Sequence, residues 1–152
     1  MAMKNIFDQQ VAREVIDRIN KLTPASKPLW GKMTVDQMLA HCNVTYELVY
    51  DNKHVKPGPF KKFLLKSFVK NIVVNEKPYR KNSPTAPEFK MVDQKNFEGE
   101  KGRLIDYIDK TAQLGASYFD NRESHSFGKL NKTEWNNMFY KHLDHHLSQF
   151  GV

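Results

Sequence analysis

Residues 131–151 read NKTEWNNMFYKHLDHHLSQFG, and the spacing of their apolar side chains decides the fold. At about 100° per residue, Trp135, Met138, Phe139, His142, Leu143, His146 and Phe150 fall within an arc of roughly 140°, the face such a helix buries. His142 and His146 lie about 40° apart near the middle of that arc, while His145 points about 100° away toward the flank. Asn131 and Glu134 have the spacing of a capping box, which opens the helix, and it ends near Gly151. A buried imidazole costs stability unless each ring nitrogen has a partner. Two on one apolar face therefore require a metal or a hydrogen-bond network.

The same period recurs upstream. Phe7, Val11, Val15, Ile19 and Leu22 predict a first helix over Ile6 to Leu22, ended by Pro24 and Pro28. Thr34 and Gln37 form a second capping-box pattern, TVDQ, opening a helix that runs to about Tyr50 with Val35, Met38, Cys42, Tyr46 and Val49 on its apolar side. His41 lies at the edge of that side, beside Thr45 and Leu48, facing across an interhelical groove. Gln94 to Phe119 reads as the longest helix, with Phe97, Leu104, Ile108, Ala112, Gly115 and Phe119 on one side. KNSPTAPEFK (81–90) is a proline-bearing loop, ESHSFGKL (123–130) a connector, and Ile72 to Val74 the one strand-like run. Four amphipathic helices and no convincing alternating strand predict an all-α fold, a four-helix bundle formed by residues 1–152 as a single domain.

Composition narrows the function. One cysteine, Cys42, excludes an internal disulfide framework and suits a reducing compartment. No apolar run reaches the eighteen or so residues of a membrane span and the first ten residues carry no apolar signal core, so a soluble cytoplasmic protein is expected. The formal net charge of +7 is concentrated between Asp51 and Lys81, where nine Lys or Arg face two acidic residues; elsewhere the charges balance. Lysines alternate there with Phe, Leu and Val, which predicts a short basic amphipathic helix after the second helix, its Lys stems lying over apolar surface. A solvated surface face is the favoured reading of this segment, and nucleic acid and membrane are not expected partners.

The chemistry rests on histidine. A bundle builds metal sites from side chains on facing helices. His142 and His146 offer two ligands, and His41, the only histidine inside another long predicted helix, is the best third. Three histidines with one open position describe a catalytic-type site for zinc or a related divalent ion, nickel and iron included. HxxxH spacing by itself fits satisfied core histidines as well. Asp36, Glu47 and Asp144 project to the backs of their helices, which favours thiolate chemistry over water-based hydrolysis. Cys42 reads as a small buried hydrophobe, His54 as a loop residue, His145 as part of a rim, Trp30 and Trp135 as core, and Glu14 with Arg18 as a surface ion pair.

WGKMTVDQMLAHC (30–42) and HSFGKLNKTEWNNMFYKHLDHHLSQFGV (125–152) together resemble the DinB-like superfamily, and especially a branch of unassigned function. The resemblance implies an antiparallel four-helix bundle with a histidine on the second helix and an HxxxH pair on the last, hence His41, His142 and His146 as metal ligands. It also implies zinc or nickel as cofactor, a homodimer, and a metal-dependent transferase joining a low-molecular-weight thiol to an electrophilic small molecule. A non-catalytic metal-binding or interaction module on the same bundle is the alternative. His125 matches a recurrent family position, where a hydrogen bond fixing the turn is expected. The Lys-rich insertion at 51–81 departs from the family pattern.

Overall fold

The computed structural model describes residues 3–152. In chain order it contains α1 (Gln9–Asn20), α2 (Val35–Tyr50), α3 (Pro59–Leu64), a π-helical turn (Leu65–Val69), α4 (Lys70–Val74), a 3-10 turn (Pro87–Phe89), α5 (Phe97–Phe119), β1 (Arg122–Ser124), β2 (Gly128–Leu130) and α6 (Lys132–Gln149). The long helices pack on one another, α1 and α2 each against α5 and α6, with α5 also against α6. The fold is mostly helical.

Helix boundaries follow local chemistry. Asp8 caps α1 by accepting from the Gln10 N–H at 2.7 Å, so the helix starts three residues later than apolar spacing suggested, with Ile6 and Phe7 buried ahead of it. The expected capping boxes are both present: Gln37 Oε1 accepts from the Thr34 N–H at 3.1 Å, and Glu134 Oε2 from the Asn131 N–H at 2.9 Å. At the far end of α6, the Val152 N–H reaches Leu147 O and the Gly151 N–H reaches Ser148 O, both at 3.1 Å. This is a Schellman closure, and Gly151 supplies the positive φ of 74° that it needs.

Three expectations are corrected. The long third pattern starts at Phe97, capped by Asn96, and is broken at Gly115, whose φ of 75° and ψ of 168° only glycine adopts readily. Ile72 to Val74 is helical, inside α4. The ESHSFGKL connector holds part of a short antiparallel hairpin, because Ser124 Oγ accepts from the Phe127 N–H at 2.9 Å and donates to Gly128 O at 2.7 Å, closing a tight turn. Such side-chain turn bonds leave little trace in hydrophobic spacing.

The core is aromatic near α6. Phe119 stacks on Phe7 with centroids 5.2 Å apart and meets Trp135 at 5.5 Å, while Tyr46 lies between Tyr107 at 5.5 Å and Phe139 at 5.1 Å. Pairs of this kind contribute about 0.5–1.5 kcal/mol each beyond their area. The apolar arc of α6 is buried as expected at Trp135, Phe139, Leu143 and His146, but burial extends round to Asn137, Tyr140 and Lys141. For Asn137 and Lys141 the reason is α4, which rests on that side: Asn137 Nδ2 donates to Val74 O at 2.9 Å, and Lys141 Nζ to Ile72 O at 2.8 Å and Asn75 O at 2.7 Å. The ammonium thereby caps the carbonyl end of α4. Glu14 and Arg18 do not pair. Arg18 instead ties α1 to α6 through Asp144 at 2.7 Å and Val152 O at 2.8 Å, while Glu14 takes Lys4.

Gly115 yields a prediction of unusual sign. Gly→Ala inside a regular helix stabilises by about 1 kcal/mol. Here an added Cβ meets nothing, yet the backbone conformation opposes it, so Gly115→Ala should destabilise by about 1–3 kcal/mol. Urea denaturation measures this, and a stabilised variant would show that the kink is absent.

Candidate metal centre

The capping boxes fix where α2 and α6 begin, and with that where their histidines point. His41 and His142 meet across the α2–α6 interface with their Nε2 atoms 3.0 Å apart. His146, one turn beyond His142, brings its ring centroid to 4.5 Å from that of His41 and 4.8 Å from that of His142. One nitrogen from each of the three rings lies within 4.8 Å of the others. The sequence-derived trio is therefore assembled, and it could hold a metal ion.

The partners behind the rings decide what the cluster presents. His41 Nδ1 lies 2.9 Å from Phe89 O, a carbonyl that can only accept, so Nδ1 carries the hydrogen and Nε2 keeps its lone pair. His146 Nδ1 lies 2.8 Å from Gln149 Oε1. The amide orientation of Gln149 is set independently, because its Nε2 donates to Trp30 O at 2.8 Å. His146 must then donate from Nδ1 as well, leaving Nε2 free to ligate. His142 Nδ1 lies 3.1 Å from Thr45 Oγ1, a hydroxyl that serves as acceptor or donor.

These lone pairs belong to neutral rings. Burial, then the imidazoles of His146 and His41, holds His142 well below the ordinary histidine range. Burial followed by His41 pushes His146 down to about 3. Burial also lowers His41, outweighing the bond to Phe89 that raises it. Neutral imidazole is the form that binds a metal.

Loop segments hold this arrangement from outside. The Leu29 N–H donates to Gln149 O at 2.7 Å, so residues 29 and 30 grip both the backbone and the side chain of Gln149. Gly31 follows with φ of 82°, and a Cβ there would sit 2.6 Å from Gln149 Nε2, so only glycine lets the loop approach so closely. Phe89 comes from the 3-10 turn, opened by Pro87, and its ring lies edge-on to His41 at 5.2 Å and to His142 at 5.7 Å. Tyr79 approaches His142 at 6.5 Å and His145 at 5.6 Å, and Trp30 approaches His145 at 5.9 Å. His145 is thus on the rim, as its helical angle indicated. His41 and His146 are buried, while His142 is only partly so.

Other sequence candidates fall outside the cluster. Trp135 is in the core, but Trp30 is half-buried beside the rim. Cys42 is buried, its Sγ 3.7 Å from Met38 Sδ, and burial pushes its thiol up. His125 bonds Ser126 Oγ at 2.9 Å, within the hairpin turn. His54 is more than a loop residue: it lies 2.8 Å from Glu47 Oε2. Glu47 is buried, not solvated at the back of α2; burial pushes its carboxyl up, but the bonds from Arg103 and His54 outweigh that and hold it low. Among the described residues, no carboxylate hydrogen-bonds any of the three clustered imidazoles. Sequence spacing did not reveal Phe89, Gln149 or Gly31 as supporting residues. Thr45 was visible only as a neighbour of His41.

The family model described as "Protein of unknown function (DUF1569)" matches residues 3–151. No curated protein and no solved structure matches the chain.

The geometry gives a pH dependence. His146 takes a proton near pH 6.5 in the unfolded chain but only near about 3 when folded. The unfolded state therefore binds the extra proton between those values, so this contribution is whole above about pH 6.5 and is lost as pH falls toward about 3. Denaturation of metal-free protein from about pH 7 to about pH 4 should show His146→Gln losing stability less steeply than the native chain, by up to about 1.4 kcal/mol per pH unit. Parallel profiles contradict this.

Proposed function

The chain belongs to the DUF1569 family, and from that we propose a divalent-metal-binding protein of the DinB type, an antiparallel four-helix bundle built from α1, α2, α5 and α6. In this reading the ion is held by Nε2 of His41, His142 and His146. One observation carries it: an acceptor on the 3-10 turn, Phe89 O, and one at the end of α6, Gln149 Oε1 held by the Trp30 carbonyl, oblige two neutral imidazoles to turn unprotonated nitrogens into the same small space. Such outer partners are the usual company of histidine ligands, fixing tautomer and ring orientation. The spacing supports it too, since tetrahedral zinc with bonds of about 2.0–2.1 Å holds ligand nitrogens about 3.3 Å apart. Zinc and nickel both suit an all-imidazole donor set.

We further propose that the protein transfers a low-molecular-weight thiol to an electrophilic small molecule. A divalent ion bound there would supply a Lewis acid that lowers the pKa of a thiol at its open position. The chain's own part is to orient. Phe89 O, Thr45 and Gln149 lock the rings, and Phe89 and Tyr79 shield the cluster. Glu47 is held by Arg103 and His54 and faces another group of charges, so it is no general base for hydrolysis at this site. The aromatic cover favours a second reading, metal binding without turnover.

Metal analysis after zinc or nickel loading tests the site. The native protein should retain about one ion per chain, and His41→Ala and His142→Ala should lose it. Gln149→Leu should weaken affinity about 10–100-fold, because it removes the acceptor behind His146. Absence of bound metal in the loaded native protein contradicts the proposal. Thiol consumption by the loaded enzyme across a panel of electrophiles separates transfer from binding alone.

A further inference from the structure

The basic segment folds opposite to expectation. Three of its lysines pair with carboxylates of the surrounding protein: Lys62 reaches Glu123 at 2.7 Å, Lys70 reaches Glu134 at 2.8 Å, and Lys61 reaches Glu88 at 3.9 Å. Four of its apolar side chains turn toward solvent, Phe60, Phe63, Phe68 and Ile72 at 76%, 63%, 71% and 59% exposure, while Val74 is buried. An isolated exposed apolar residue is ordinary, but four along one short helical run form a patch.

The π-helical turn aligns that patch. In an uninterrupted α-helix Ile72 would stand about 120° round from Phe60. A π-turn accommodates one extra residue and so rotates the next stretch of helix back by about 100°, which brings Ile72 to within about 20° of Phe60 and Phe68 to a similar angle. The far end is anchored by Lys141 and Asn137 of α6. The stripe is thus presented outward on a fixed support.

Charge identifies what would cover it. Residues 51–81 carry nine basic and two acidic side chains, which accounts for the whole formal charge of +7. Among the described residues, Lys56, Lys66, Lys77, Arg80 and Lys81 there make no ion pair. A second copy docked through this face would set one such segment against another. Nucleic acid would answer the charge and leave the phenylalanines in water. An anionic phospholipid bilayer answers both, taking aromatic side chains into the acyl boundary and cations among the headgroups.

We infer that the run from Pro59 to Val74 is a peripheral docking helix for anionic phospholipid membranes, with Phe60, Phe63, Phe68 and Ile72 as the inserting stripe. Contact is at the surface, since no described helix is long and apolar enough to cross a membrane. The site is independent of metal.

Cosedimentation of the full chain with vesicles tests this. The native protein should bind phosphatidylcholine vesicles containing phosphatidylserine, bind more weakly as salt rises, and ignore pure phosphatidylcholine. Phe63→Ser with Phe68→Ser should reduce binding at least about tenfold while leaving the circular dichroism spectrum and metal content unchanged, because both rings are already in solvent. No binding to anionic vesicles, equal binding to both vesicle types, or undiminished binding of the double variant overturns the inference. A dimer that this variant dissociates, without vesicle binding, assigns the face to a second copy instead. Salt-sensitive DNA binding that survives the variant, again without vesicle binding, assigns the charge to nucleic acid.

Discussion

Two acceptors that cannot donate, the Phe89 carbonyl and the Gln149 amide oxygen, govern the centre of this molecule. Each dictates which nitrogen of a buried imidazole carries the hydrogen. The consequence reaches the opposite edge of each ring, where a lone pair is left facing the other histidines. Without those acceptors the same three side chains could satisfy one another by rotating or changing tautomer. With them, the cluster keeps an excess of acceptors in a space that burial has made inhospitable to protons. A buried surplus of that kind costs stability, and a cation held there would relieve it.

The supporting structure follows from this requirement. Thr34 and Gln37 set the start of α2, and Asn131 and Glu134 that of α6, so His41 and His142 meet at the right height. Gly31 lets the loop after α1 close on Gln149, and the loop before α5 delivers Phe89. Helix α6 serves two faces at once. Its histidines look toward α2, while Asn137 and Lys141 hold the end of the outward-facing basic helix. Burial pulls the Lys141 ammonium down to about 8 without any carboxylate among its bonding partners, so its function there is to cap carbonyls.

Much of the histidine cluster was legible in the sequence, and what surrounds it was hidden for definable reasons. Helical angle alone separated His142 and His146 from His145, and His41 was recognisable as the remaining helical histidine. Capping boxes were legible because they are local, four-residue patterns. Phe89 and Gly31 were not, since each acts by spatial approach from a loop distant in sequence from what it touches. Gln149 was close to His146 in sequence, but only the Trp30 carbonyl reveals which way its amide faces. The outward turn of the basic helix was hidden by symmetry: amphipathic spacing reports that two faces differ, and not which one meets the protein. Glu123, Glu134 and Glu88 resolve that by pairing with its lysines. The break at Gly115 and the hairpin turn at Ser124 depend on backbone geometry to which hydrophobic period is blind.

The ring tautomers are the most direct measure of the central claim. Long-range proton–nitrogen correlation spectra of metal-free protein labelled at histidine report the hydrogen position on each ring. His41 and His146 should both be Nδ1–H with unprotonated Nε2 at neutral pH, and should keep that tautomer when zinc is added. An Nε2–H tautomer for either ring, or a change of tautomer on adding zinc, would contradict the account.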